Sequence, residues 1–193
     1  MAGEFYRLAV PQFVQILGAQ SRLFAKAEAH CAERGLKEKD WLSTRLHPGM
    51  PPLAFQVRQV LSYSAGTLAR LLGLPYPPGV DPDSFRICQS QLDAAAAGML
   101  AIAPSELDGA AAREVVFETP RGPLSFSSGS TYLMNFAFPN FYFHATVGYA
   151  LLHRLGLPVG KNDFLGEKWI RNEVPGESGL GGVESRSPDS AGV

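Results

Sequence analysis

The sequence predicts an all-α chain, an antiparallel four-helix bundle with a short β-hairpin between helices three and four. Three observations carry that expectation. Apolar residues recur at helical spacing in four long segments. Each segment is bounded by Gly or Pro. A single stretch switches to strand-like residues on either side of a Pro-Gly turn.

Helix one is expected over residues 11–34, on the recurrence of Phe13, Ile16, Leu17, Leu23, Phe24 and Ala27. Gly35 is its stop. Residues 41–52 hold Pro48, Gly49, Pro51 and Pro52 and read as a loop. Helix two follows, from Pro52 to Gly73, with the stripe Leu53, Val57, Val60, Ser64, Leu68 and Leu71. Helix three opens at Asp81-Pro82-Asp83, where a capping carboxylate precedes a first-turn proline, and continues to about Ala103. Val115-Val116-Phe117-Glu118-Thr119 and Leu124-Ser125-Phe126 flank Pro120-Arg121-Gly122-Pro123 and form the expected hairpin. Helix four starts after Ser127-Ser128-Gly129 and ends at Leu155 before Gly156, with a kink expected at Pro139.

The chain has 193 residues, 46% of them hydrophobic and 18% charged. That supports one well-filled core, assigned to residues 1–170. Residues 171–193 are rich in Gly, Ser, Glu, Pro and Asp and are expected to be a disordered tail. A net charge of −1 gives no electrostatic footprint for nucleic acid or an anionic membrane. Glu4 and Arg7 interrupt the first apolar run, so no secretory signal is read there. Cys31 and Cys88 lack metal or redox spacing and read as reduced, packed thiols of a cytoplasmic protein. No phosphate-binding glycine loop, dinucleotide fingerprint or nucleophile elbow occurs.

Helix four carries the chemistry. With His144 as zero on a helical wheel, Leu133, Ala137, Asn140, Gly148, Leu151 and Leu155 fall within roughly 40° of it. Asn140 and His144 therefore sit on an otherwise apolar face. Each needs a partner, since burying an unpaired polar group costs about 1–3 kcal/mol. Gly148 beside them leaves room for a ligand. His153 points away. Phe138, Tyr142, Thr146, Tyr149 and His153 make a second stripe, expected to serve either a homodimer contact or packing under residues 41–52 or the hairpin.

The run Phe138-Pro139-Asn140-Phe141-Tyr142-Phe143-His144, then Gly156-Leu157-Pro158-Val159-Gly160-Lys161-Asn162-Asp163-Phe164-Leu165-Gly166, is closely similar to domain of unknown function family 1993. The segment Arg45-Leu46-His47-Pro48-Gly49-Met50-Pro51-Pro52 resembles that family's other signature. The resemblance spans residues 5–166 and implies a DinB-like four-helix bundle, often dimeric. In that wider superfamily three histidines commonly hold a divalent metal. The resemblance lays His144 on the second helix-four ligand, Asn140 on the first, and Tyr63 near the helix-two ligand. Asn and neutral Tyr are poor zinc ligands, so neither metal nor cofactor is expected.

The reading that follows is a small-molecule site at the bundle centre, lined by Tyr63, Asn140 and His144. If catalytic, it would be a metal-independent isomerase, dehydratase or cyclase, with His144 as acid or base and the other two orienting a substrate oxygen. The alternatives are a non-catalytic dimeric interaction module, or a metal-dependent DinB-like hydrolase or thiol transferase. Nucleic acid and membrane are not expected partners.

Overall fold

The computed structural model describes residues 3–77, 79–119 and 121–166. The tail expected over 171–193 lies outside them. Helix α1 (Glu4–Arg34) begins about two turns before Pro11, which it carries inside. Pro11 lies beyond the first four residues, so it leaves the Arg7 carbonyl without its helical donor. Gly35 closes α1 in the left-handed region, with its N–H and that of Leu36 capping the last carbonyls.

Residues 41–52 are not all loop. A short helix α2 (Glu38–Ser43) turns Trp41 and Leu42 into the core. The second long segment is broken in two, α3 (Leu53–Ser62) and α4 (Ala65–Leu72). The break falls at Tyr63–Ser64. Ser64 is fully buried and its Oγ bonds back to the Val60 carbonyl at 2.6 Å, competing with the helical ladder. Across the break the expected stripe survives: Leu53, Val57, Val60, Ser64, Leu68 and Leu71 are all buried.

Helix α5 (Phe85–Leu100) starts later than the Asp81-Pro82-Asp83 signature suggests. Its cap is Ser84, whose Oγ accepts from the Ile87 N–H, while Glu38 Oε2 takes the Phe85 N–H at 2.7 Å. Asp81 is used elsewhere, paired with Arg58 at 2.6 Å. A single turn of 3-10 helix, Pro104–Leu107, leads to the hairpin β1 (Val115–Thr119) and β2 (Gly122–Phe126). The strands are antiparallel, with Val115 opposite Phe126 and Thr119 opposite Gly122, which adopts a φ of 108°.

The fourth long segment is continuous but not uniform. Helix α6 (Gly129–Tyr132), capped by Ser128 Oγ, runs through a π turn, Leu133–Ala137, into α7 (Phe138–Arg154). The π turn lies just before Pro139, where a missing N–H and the ring would otherwise disturb a regular helix. Helix α8 (Lys161–Leu165) follows the turn at Gly156.

Helix α1 lies along α5 and α3 along α7, with α1 also touching α7 and α8. The second stripe of α7 is partly covered from within the chain, with Thr146 and His153 exposed. Phe138 packs on Phe13 at 5.0 Å, the Tyr142 hydroxyl donates to Gln12 Oε1 at 2.9 Å, and Tyr149 meets Phe164 of α8 edge-on. Thus α1 and α8, rather than residues 41–52 or the hairpin, pack against Phe138, Tyr142 and Tyr149 of this stripe. Lys26 pairs with Asp163, and Gln15 Nε2 donates to the Leu165 carbonyl at 2.8 Å, so α8 is fastened to α1. Among the described residues no helix is long and apolar enough to cross a membrane.

Candidate functional site

The site is built where α3 meets α7. The wholly buried line of α7 runs Phe141, Ala145, Gly148 and Leu152, so His144 stands at its flank and is partly buried. This corrects the wheel centred on His144: Leu151 is buried, but Leu155 and Asn140 are only partly so. The π turn also shifts residues 133–137 out of a constant 100° phase.

His144 Nδ1 is 2.8 Å from Gln56 Oε1. Gln56 is 1% exposed, and its Nε2 donates to the Pro51 carbonyl at 3.1 Å. The Gln56 amide is thereby oriented with its oxygen toward the imidazole, so Nδ1 carries the proton and donates. Nε2 then has its lone pair free. No described protein group bonds it, and it is not sealed from solvent. Burial pushes the His144 pKa down from 6.5 to about 4. The imidazole is neutral at neutral pH, an acceptor at Nε2 and a donor at Nδ1.

Aromatic rings hold it in place. Tyr63, at the end of α3, stacks on His144 with centroids 5.6 Å apart and planes 7° off parallel. Phe55 and Phe143 meet it edge-on. Burial, offset in part by the nearby Arg70, raises the Tyr63 phenol pKa and keeps it protonated. Tyr63 and His144 are therefore brought together as the sequence suggested. Asn140 is not spent on the same point. Its Nδ2 donates to the Phe136 carbonyl of its own helix at 2.7 Å, and Phe136 in turn packs on Tyr63.

Gln56 and Gln20 were the polar groups that the sequence reading missed. Gln20 is 2% exposed and donates from Nε2 to the Ala145 carbonyl at 3.3 Å. A signal existed for Gln56, which lies between Leu53 and Val57 on an apolar helix after Pro51-Pro52. Gly148 does not leave the expected hole. Gln20, Gln56 and Leu53 close around it, and the space between Gln20, Gln56, His144 and Gly148 has no room for a water molecule.

Comparison with known proteins places the chain. The model of a family described as a domain of unknown function (DUF1993) matches residues 5–165. The chain belongs to this family. The DUF1993 protein also resembles a solved structure, described as a DinB family member protein from Shewanella denitrificans. That structure is 27% identical, with a TM-score of 0.74 over 86% of this chain and 93% of that one. No curated protein matches.

The metal centre implied by the wider DinB-like group does not fit the residues of this DUF1993 chain. His144 offers a single free imidazole nitrogen, Nε2, while the Asn140 amide is committed to Phe136 and Tyr63 is a neutral phenol. Among the described residues, no three or more His, Cys, Asp or Glu side chains converge to hold an ion. Neutral phenol and carboxamide do not replace imidazole or carboxylate around a transition metal.

Proposed function

We propose that this protein binds a small molecule at the α3–α7 seam without a metal, with Nε2 of His144 as a fixed hydrogen-bond acceptor. The observation that carries this reading is the His144–Gln56 bond. It spends Nδ1, fixes the tautomer, and leaves Nε2 unpartnered beside the stacked Tyr63 ring. A pre-oriented acceptor against aromatic walls suits a ligand carrying a hydroxyl or N–H next to a flat apolar part. The long helical segments are proposed to complete an antiparallel four-helix bundle around this seam.

If the ligand is a substrate, His144 acts through Nε2 as proton acceptor. Its low pKa keeps it ready to accept but makes it a weak base, so the reactions that suit it remove an already acidic proton: isomerisation, dehydration or cyclisation. Tyr63, protonated, would donate to a substrate oxygen. The test is a thermal-shift screen of metabolites on the full chain, followed by His144→Gln. A ligand that stabilises the wild type but not the folded variant supports the reading. A ligand held equally by both sinks it.

One observation favours a second reading, an interaction module without catalysis: the filled space under His144. A homodimer belongs to this reading. Phe138 is spent on the chain's own core, so its contact would use the partly exposed edges of Tyr142 and Tyr149. Tyr142→Glu should then convert a dimer to monomer in light scattering.

A further inference from the structure

Arg70 on α4, whose charge is felt by Tyr63, makes no hydrogen bond to Tyr63 or His144 and presents a second arrangement. Its guanidinium is partly buried, 4.5 Å above the Phe117 ring and 5.8 Å from the Tyr76 ring. Nη1 donates to the Ser62 carbonyl at 3.1 Å and to the Tyr132 hydroxyl at 3.2 Å. The Tyr132 oxygen is itself fixed by Thr67 Oγ1 at 3.2 Å. Two of the five guanidinium N–H groups are thus spent, both on Nη1. The Nε–Nη2 edge has no protein acceptor among the described residues.

Burial sets Arg70 apart from the other cations: among the described Lys and Arg residues only Arg58 and Arg70 are partly buried. Arg58 has a carboxylate, Asp81. Among the described residues Arg70 has none, although it is partly buried where an uncompensated charge is costly. The slot is also shaped for the side chain. Gly66, one turn earlier, is buried, and a Cβ there would lie 3.1 Å from Arg70 Nη1 and 2.9 Å from Tyr76 Cδ1. Glycine at 66 leaves room for the Arg70 guanidinium and the Tyr76 ring, which a Cβ would crowd.

From this geometry we infer that the Nε–Nη2 edge of Arg70 is a binding site for a small oxyanion, a carboxylate or a phosphate, taken in a bidentate fork. The Phe117 ring lies against the guanidinium and the two Nη1 bonds fix its position. The anion supplies the charge that the chain does not. This site stands independently of the His144 reading.

The test is a solution titration of the full chain at low ionic strength, followed by NMR on the Arg70 Nε–H and the Gly66 and Thr67 amides. The probes are sodium acetate and sodium phosphate, with sodium chloride at matched ionic strength as control. A saturable shift with acetate or phosphate, and none with chloride, is expected; the stronger of the two tells carboxylate from phosphate. Arg70→Lys keeps the charge and the stem but loses the fork, and should weaken binding about tenfold as one charge-assisted bond is lost. Gly66→Ala should weaken it as well, by pushing the guanidinium from its slot. No saturable shift in the wild type overturns the proposal. An unchanged affinity in folded Arg70→Lys also overturns it and leaves an adventitious ion only.

Discussion

His144 was legible in the sequence as a polar residue on an apolar helix, but its neighbours were not. A wheel gives angles around one helix and says nothing of what faces it. Gln56 faces it from α3, across 88 residues of sequence. Removing that partner by Gln56→Leu should orphan the His144 Nδ1–H and the Pro51 carbonyl, costing about 1–3 kcal/mol in chemical denaturation. A loss within experimental error would show that the bond is not formed. The depressed pKa gives a separate expectation. Above pH 6.5 the imidazole is neutral both folded and unfolded, and contributes no pH dependence. As pH falls from 6.5 toward about 4, the unfolded state takes up a proton that the folded state refuses, so stability drops. His144→Gln lacks that proton uptake. The wild type should therefore lose stability relative to His144→Gln as pH is lowered through this window, in urea melts at a series of pH values. Parallel curves would contradict a buried, neutral His144.

Elements were read well where the signal is local. The hairpin appears where β-branched and aromatic residues flank a turn, and Gly35, Gly73 and Gly156 each take positive φ at a helix end. The departures are tertiary. Nothing local to Tyr63–Ser64 announces a break, because the buried Ser64 hydroxyl turns back on Val60 in a crowded interior. The π turn before Pro139 likewise depends on its packing against Tyr63 and the hairpin aromatics Phe117 and Phe126. The entry to α6 is tight: a Cβ at Gly129 would fall 2.1 Å from the Ala110 carbonyl oxygen. Gly129→Ala must displace backbone and should cost about 3 kcal/mol or more. Gly98, inside α5, has open space around it, so Gly98→Ala should instead stabilise by about 0.5–1 kcal/mol through helix propensity. Similar melting temperatures for the two variants would contradict this account of α6.

At the scale of the whole molecule, composition and the two family signatures sufficed for a mostly helical DUF1993 fold, because core patterning is spread over the chain and tolerates local error. Both cysteines are free and fully buried, and burial pushes the Cys88 thiol up to about 12. Neither should react with Ellman's reagent in native buffer except through opening of the core, whereas both should react at once in denaturant. Rapid reaction of either thiol in native buffer would show that the core opens locally. The claim on which the functional reading stands is the state of one imidazole in the intact protein. Its most direct measurement is a long-range nitrogen–proton NMR spectrum of the histidine rings at neutral pH. For His144 the expected pattern is a neutral ring protonated at Nδ1, with an unprotonated Nε2 that stays so down to acidic pH. A ring protonated at Nε2, or one titrating near 6.5, would contradict it and remove the fixed acceptor from the α3–α7 seam.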